Sequence, residues 1–507
     1  MDRKTKIIVL FFCILKLALH LAADYNSGFQ GDELLHIETG RHLAFGYMEF
    51  PPLIGMLAYI QNLFHSQSVF VHHIFAHIAT VLTLVYTSKI TIELGGKAKA
   101  VFLVLFCILI VPGFGRSQQL FQPVVFSQLL WVLSFYQLTR YVKYLDPRYL
   151  WYLTLTVAVA FLTKYDALFF IFGLGSLLFF KNTRQALVKH KFWWNILVFF
   201  ALISPNLLWQ LLNNFPVLKM FARLHETQLD KLAPFEILEG LIVSLNPLAL
   251  LLSVPAIVGI FYQKMKLYRP LAFSIFLSVL FLAYSRGKGY YFYPVFLTIF
   301  PFGGVFWEKL LSDKKKWLLY PIACLLSVGV LLIPFGMPIY SLERYLNDLY
   351  PYEEKNVGGG KYAIRFEERY SVKKWNETLA GLKMVLYSLP EKEQEECLIW
   401  GKHYGQAGAV ALLGERYGLP RPFSLHGSFY TWLPSGKMPH TTIAIRYGKA
   451  EGKDFFEPYF EEVRPVKAIY NPYADDEEKL WQTIFVCKNP RQDFQEIKKL
   501  FAERIYE

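Results

Sequence analysis

Long apolar runs alternate with short polar loops from Lys6 to Tyr340, and then the pattern changes. The runs lie near 5–23, 69–93, 99–113, 119–140, 149–163, 166–180, 192–212, 236–262, 269–284, 290–308 and 317–340. A bilayer core needs roughly 20 apolar residues in a helix, so the pattern predicts about eleven transmembrane helices, and up to about thirteen. The runs 149–163 and 166–180 are short and meet at Lys164-Tyr165-Asp166, which allows two short helices or one broken helix that dips in and out. After Tyr340 charged residues become frequent and no run approaches spanning length. Helix-like stretches there (SVKKWNETLAGLKMVLYSL, YGQAGAVALLGERYG, EKLWQTIF) alternate with strand-like ones (CLIWG, TTIAIRYG, AIYN, FVCK), as in a small α/β domain. The expected organisation is a polytopic α-helical membrane domain over 1–340 and a soluble α/β domain over 341–507.

Composition agrees: 54% hydrophobic and 17% aromatic residues are too many for an ordinary soluble chain. The net charge of +13 is explained by topology rather than by nucleic acid, since no basic-aromatic recognition module is present. The segments MDRKTK, GGKAKA, RYVKYLDPRY, KNTRQALVKHK, YQKMKLYR and EKLLSDKKKW fall on one side of the alternation and mark it as cytoplasmic. An odd number of spans then sets the C-terminal domain outside. The first apolar run resembles a signal peptide, but Lys16 interrupts it and many spans follow, so an uncleaved first helix is expected. Cys13, Cys107 and Cys324 sit in apolar runs as packing residues. Cys397 and Cys487 lie in the outer domain, where a disulfide between them is left open.

The same alternation collects ionisable groups on the outer face. They are Asp32, Glu33 and Glu49 in the first loop, Arg116, Lys164 with Asp166, His225 in a later loop, and Arg286 with Lys288. Carboxylates beside a bilayer are costly to desolvate and mark candidate chemistry. The stretch 31–47 reads as an interfacial helix with Asp32 at its start, where a simple N-cap would also account for it. His225 and Glu49 are the candidate ligands for a divalent metal, although a polar loop histidine explains His225 as well. His72, His73 and His77 read as packing or interfacial residues. The run VGGGKYA near 357–363 lacks the strand and helix of a phosphate loop and reads as a linker; the soluble part holds no P-loop, G-x-S-x-G or zinc motif.

Asp32-Glu33 in the first outer loop followed by GYMEFPP resembles the GT-C glycosyltransferases, in particular the protein O-mannosyltransferase and aminoarabinose transferase superfamily. FQPVVFSQLLWVLSFYQL, AFLTKYDALFF with Lys164, SRGKGYYFYPVFLTIFPFGG with Lys288, Tyr290, Tyr291 and Pro294, and YGQAGAVALLGERYGLPRPFSLHGSFYTWLP extend the resemblance through most of the chain. It departs at Ser127 and Gln128, where the family often carries an acid. The resemblance implies transfer of a sugar from a polyprenyl-phosphate donor to a lipid, glycan or protein acceptor, with Asp32 as the essential acidic residue and Glu49 at a metal position. Chemistry fits these roles. Asp32 suits a general base with Glu33 to orient it, and Lys164, Arg286, Lys288, Tyr290 and Tyr291 suit the leaving phosphate. The domain over 341–507 is expected to cover the site and help select the acceptor. A bacterial plasma-membrane enzyme is therefore expected. The competing reading is a polytopic transporter or lipid flippase with an extracytoplasmic accessory domain, which would need midplane polar groups or internal repeats that the sequence does not display.

Overall fold

The structure, a computed structural model, describes residues 1–227, 229–231, 233–260, 263–312, 317, 319–345, 347, 370–450, 455–471, 474 and 478–506. The glycine-rich run 357–363 lies outside them. Two compact units emerge. One comprises Met1–Ala22, Phe50–Leu53 and His73–Met337; the other comprises Ala23–Glu49, Ile54–His72 and Pro338–Glu507. The second unit thus joins the first-loop segments to the C-terminal segment that the sequence reads as a separate domain from 341.

The first unit is helical. Among the described residues five helices are long and apolar enough to cross a membrane: Arg3–Ser27, Val69–Glu93, Trp193–Leu212, Met265–Tyr284 and Gly289–Leu310. A sixth candidate is the pair Ala98–Ile110 and Pro112–Gln119, bent by 75°. The other predicted runs are helical too, but they are shorter, broken or more polar. Pro147–Phe161 ends before the turn that carries Lys164, and the next run divides into Ala167–Leu174 and Ser176–Phe179. Pro123–Tyr144 is long enough but carries Ser127, Gln128, Gln137, Arg140 and Lys143. Large apolar side chains such as Ile7, Leu10, Phe11, Leu197 and Phe200 stand exposed on these helices, as lipid contact requires. The chain is an integral membrane protein.

Bent helices free backbone carbonyls that a bilayer cannot hydrate, so side chains must satisfy them. The break after Ile110 is an example: Asn246 Nδ2 donates to the Ile110 carbonyl at 3.1 Å. Nearby, the Lys16 ammonium, fully buried, donates to the Phe114 carbonyl at 3.1 Å. The lysine that interrupts the first apolar run is therefore a structural donor.

In the second unit a five-stranded sheet has the order β2-β1-β3-β5-β4. Its strands are β1 (Leu398–Gly401), β2 (Pro422–Phe423), β3 (Thr441–Tyr447), β4 (Phe460–Tyr470) and β5 (Trp481–Pro490). β1 runs parallel to β2 and β3, while β5 is antiparallel to β3 and β4. Trp400, Phe423, Phe456, Phe460, Phe485 and Phe494 fill the core on one face. Full burial of side chains of this size contributes about 1.5–3 kcal/mol each. The helices Val372–Tyr387 and Tyr404–Leu413 match the sequence reading. EKLWQTIF does not: it is a short 3-10 turn, Glu478–Leu480, followed by β5. Its Gln482–Cys487 stretch is buried and paired on both sides, so sheet pairing overrides the apparent helical pattern. Cys397 and Cys487 are free, buried thiols; β3 lies between β5, which carries Cys487, and β1, which begins one residue after Cys397.

The first-loop segments form two helices rather than one. The predicted helix 31–47 stops at Thr39, and a second helix, Leu53–Asn62, follows Pro51-Pro52. The chain turns at Gly40 because its backbone packs on Ala58 and Tyr59, leaving no room for a side chain.

Candidate functional site

The acidic group belongs to the second unit. Gln30, not Asp32, caps the helix Gly31–Thr39: its side chain accepts the Asp32 N–H at 2.9 Å. Glu33 completes a capping box by accepting the Gln30 N–H at 2.8 Å, and its side chain is fully buried. Capping therefore does not consume the Asp32 carboxylate. Its Oδ1 instead accepts the Tyr404 hydroxyl at 2.6 Å, a charge-assisted bond from a residue 372 positions away.

Tyr404 is itself fixed. It opens the helix Tyr404–Leu413, which His403 caps by accepting the Gly405 N–H at 3.0 Å, with Gln406 completing the box. The tyrosine ring lies parallel to His426, with centroids 4.7 Å apart, and 4.1 Å from the His403 ring. Burial pulls the His426 imidazole down to about 4 and His403 well below the usual histidine range. Both rings are uncharged at neutral pH.

Glu49 is held by Ser428, which donates its N–H at 2.8 Å and its hydroxyl to the two carboxylate oxygens. The same hydroxyl oxygen accepts the Met48 N–H at 3.1 Å. Desolvation pushes the Glu49 carboxyl up to about 7; the Ser428 donors oppose the shift and the charge of Asp32 adds to it. Tyr506 donates to the Met48 carbonyl at 3.1 Å, and burial beside Glu49 raises its hydroxyl as well.

The cationic groups belong to the first unit. Lys164 stands 3.9 Å from the ring centre of Tyr291 and 5.4 Å from that of Tyr290, so three of the expected residues form one cluster. Its ammonium pairs with Asp166 at 2.9 Å, and the Ser127 hydroxyl donates to the same carboxylate at 2.9 and 3.0 Å. Asp166 thus brings an acid to Ser127, where the resembled family often carries one. Arg286 and His225 meet at Asp230, with contacts of 3.2 and 3.3 Å. Arg286 adopts φ +47° just after the helix Arg269–Tyr284, a position where glycine is usual. Lys288 caps the turn Gly289–Phe292 through its backbone, and its ammonium has no ion-pair partner among the described residues. Glu49 and His225 belong to different units and each has its own partner. Among the described residues neither stands in a group of three or more possible metal ligands.

A cavity of about 960 Å³ runs along the helix Arg269–Tyr284. Apart from Ser253, its polar lining side chains are Arg269 and Arg286, at opposite ends of that helix. Phe180, Phe273, Phe276, Phe292 and Phe296 line the stretch between them.

Residues 50–209 match the family model of dolichyl-phosphate-mannose-protein mannosyltransferase. The stretch includes Pro51-Pro52 and Lys164 and begins after Asp32 and Glu33. No curated protein sequence matches the chain. Among solved structures, ArnT from Cupriavidus metallidurans in the apo state is similar at 13% identity and TM-score 0.59, over 94% of this chain and 97% of that one. The same protein bound to undecaprenyl phosphate gives 12% identity and TM-score 0.57 with the same coverage. The Archaeoglobus fulgidus oligosaccharyltransferase in complex with Zn and sulfate gives 11% and 0.50, over 86% of this chain and 67% of that one. At such identities the likeness is one of fold.

Proposed function

We propose that this chain, whose fold is that of the GT-C glycosyltransferase superfamily, transfers a sugar from a polyprenyl-phosphate carrier to a lipid, glycan or protein acceptor. The cavity carries the reading. A long apolar slot with Arg286 at one end and Arg269 at the other offers an apolar length for an isoprenoid tail and a cation for an anionic head. The similar fold that binds undecaprenyl phosphate in ArnT supports the same ligand class here.

The acceptor hydroxyl gives its proton to Asp32 while its oxygen attacks the anomeric carbon. The bond from that carbon to the carrier oxygen breaks, and the electron pair leaves with the phosphate. A single displacement of this kind inverts the anomeric configuration. Lys164, Arg286 and Lys288, with Tyr290 and Tyr291, meet the charge that develops on the leaving phosphate. Glu33 holds the start of the Asp32 helix through the capping box. Glu49 is held by Ser428 and His225 by Asp230. The enzyme works at the extracytoplasmic face of a bacterial plasma membrane, with the C-terminal segment on that side.

The test is Asp32→Asn, checked for unchanged expression and melting, and assayed with radiolabelled polyprenyl-phosphate sugars and a membrane extract. Loss of about 100-fold or more is expected for a general base. A fully active variant removes Asp32 from that role, and a wild type inert with every such donor overturns the transferase reading.

A further inference from the structure

We infer that Tyr404 and Ser428 are positioning residues for Asp32 and Glu49, so that the C-terminal α/β segment is part of the catalytic apparatus and not only its cover. The inference rests on Asp32 acting as the base. Its evidence is separate, and lies in how the C-terminal segment grips each first-loop carboxylate.

A carboxylate in the first turn of a short helix has several rotamers, and only some would aim an oxygen at an acceptor. Tyr404 selects among them with its 2.6 Å bond to Oδ1. The phenol can do so because its own ring is stacked on His426 and packed at a tilt against His403, which fixes the direction of the hydroxyl. Those imidazoles are neutral, so they supply flat packing surfaces and do not compete as cations for the carboxylate. Glycines set the approach of the two helices. A Cβ on Gly408 would meet Leu34 at 2.8 Å, and one on Gly405 would lie 3.2 Å from Gly31. Close contact at these positions puts the first turn of one helix against the first turn of the other.

Glu49 is gripped in the same manner from the turn that starts at Gly427. Ser428 gives it two donors, and Gly427, at φ +59°, leaves the space that a Glu49 oxygen occupies. Trp432, four residues on, stacks on His42 of the first loop with centroids 4.4 Å apart and planes 9° from parallel. The grip on Asp32 comes from 403–408 and that on Glu49 from 426–432, two stretches joined by the stacking of Tyr404 on His426. A hydroxyl donor also favours the ionised form of a carboxyl. The Tyr404 hydroxyl is such a donor to Asp32, and the ionised form it favours is the one that accepts a proton.

The test uses the full-length protein in detergent and compares Tyr404→Phe, Ser428→Ala and a control, Tyr417→Phe. The control removes a hydroxyl of the same segment that donates to Asn376 at 3.4 Å. Tyr404→Phe keeps the ring and loses the donor. It is expected to lower kcat/KM about 10- to 100-fold, with the donor KM and melting temperature unchanged. The acid limb of its pH profile is expected to move to higher pH. Ser428→Ala is expected to lose less, since the backbone N–H still holds Glu49, and Tyr417→Phe to match wild type. Replacing Tyr404 with 3,5-difluorotyrosine, a stronger donor, is expected to move the acid limb to lower pH, a change that a packing role would not produce. Wild-type rates and pH profiles in both Tyr404 variants, with Asp32→Asn inactive, would overturn the inference and leave the base intact. A fully active Asp32→Asn would instead remove the base reading itself.

Discussion

Glu49 makes a prediction that needs no substrate. In the folded chain burial raises its carboxyl from an ordinary value near 4.5 to about 7, against the pull of the Ser428 donors and with the push of Asp32. A folded-state value above the unfolded one means that the folded protein holds the proton more tightly. The stabilisation is complete below the unfolded value and is lost as pH rises toward 7, after which stability is flat. The shift of about 2.5 units corresponds to about 3 kcal/mol. Glu49→Gln removes the titration while keeping an acceptor for the Ser428 N–H. Thermal melting in detergent between pH 5 and 8.5 is the assay. The wild-type melting temperature is expected to fall by about 5–10 °C more than that of the variant over this range, and the variant to be the more stable at pH 8. Parallel pH dependences for the two proteins would refute the assignment of a partly buried, proton-binding Glu49.

Other substitutions separate binding from folding. Arg286→Gly places glycine where the backbone has φ +47°, so melting should rise or hold while affinity for a polyprenyl phosphate falls at least 10-fold in a fluorescence binding assay; unchanged affinity removes Arg286 from the phosphate. Gly427→Ala should cost about 1–2 kcal/mol or more by calorimetry, because φ is +59° there and a Cβ would run into Glu49. Trp375→Phe should cost about 1 kcal/mol, through loss of the indole N–H donated to the Phe29 carbonyl at 2.9 Å.

Much of this fold can be read from hydropathy, because membrane helices advertise themselves by long apolar runs. Span count is harder. A turn at Asn246 divides the run 236–262, which looks continuous, and partner groups such as Asn246 on Ile110 explain why breaks are tolerated. Strand β4 went unread beyond AIYN, because its exposed stretch Glu461–Lys467 is mostly charged and holds Pro465 at a register shift. At the site, the ionisable residues were legible as types but not as partners. Asp32 looked like the helix cap, yet the glutamine two residues before it takes that part and Glu33 completes it. Tyr404 and Ser428 lie more than 370 positions from the carboxylates they hold, beyond any local pattern. The nearest signals were the His403-to-Gln406 capping spacing and the His-Gly-Ser turn at 426–428, neither of which names its target.

The most direct test reconstitutes the purified protein in liposomes with a radiolabelled polyprenyl-phosphate sugar and a mixed acceptor extract, and follows both the sugar-carrier bond and the leaflet that holds the lipid. The account predicts that wild type breaks the bond and moves label to the acceptor, while Asp32→Asn leaves the label on the carrier. Movement of intact donor between leaflets without bond cleavage would contradict it and identify a flippase instead.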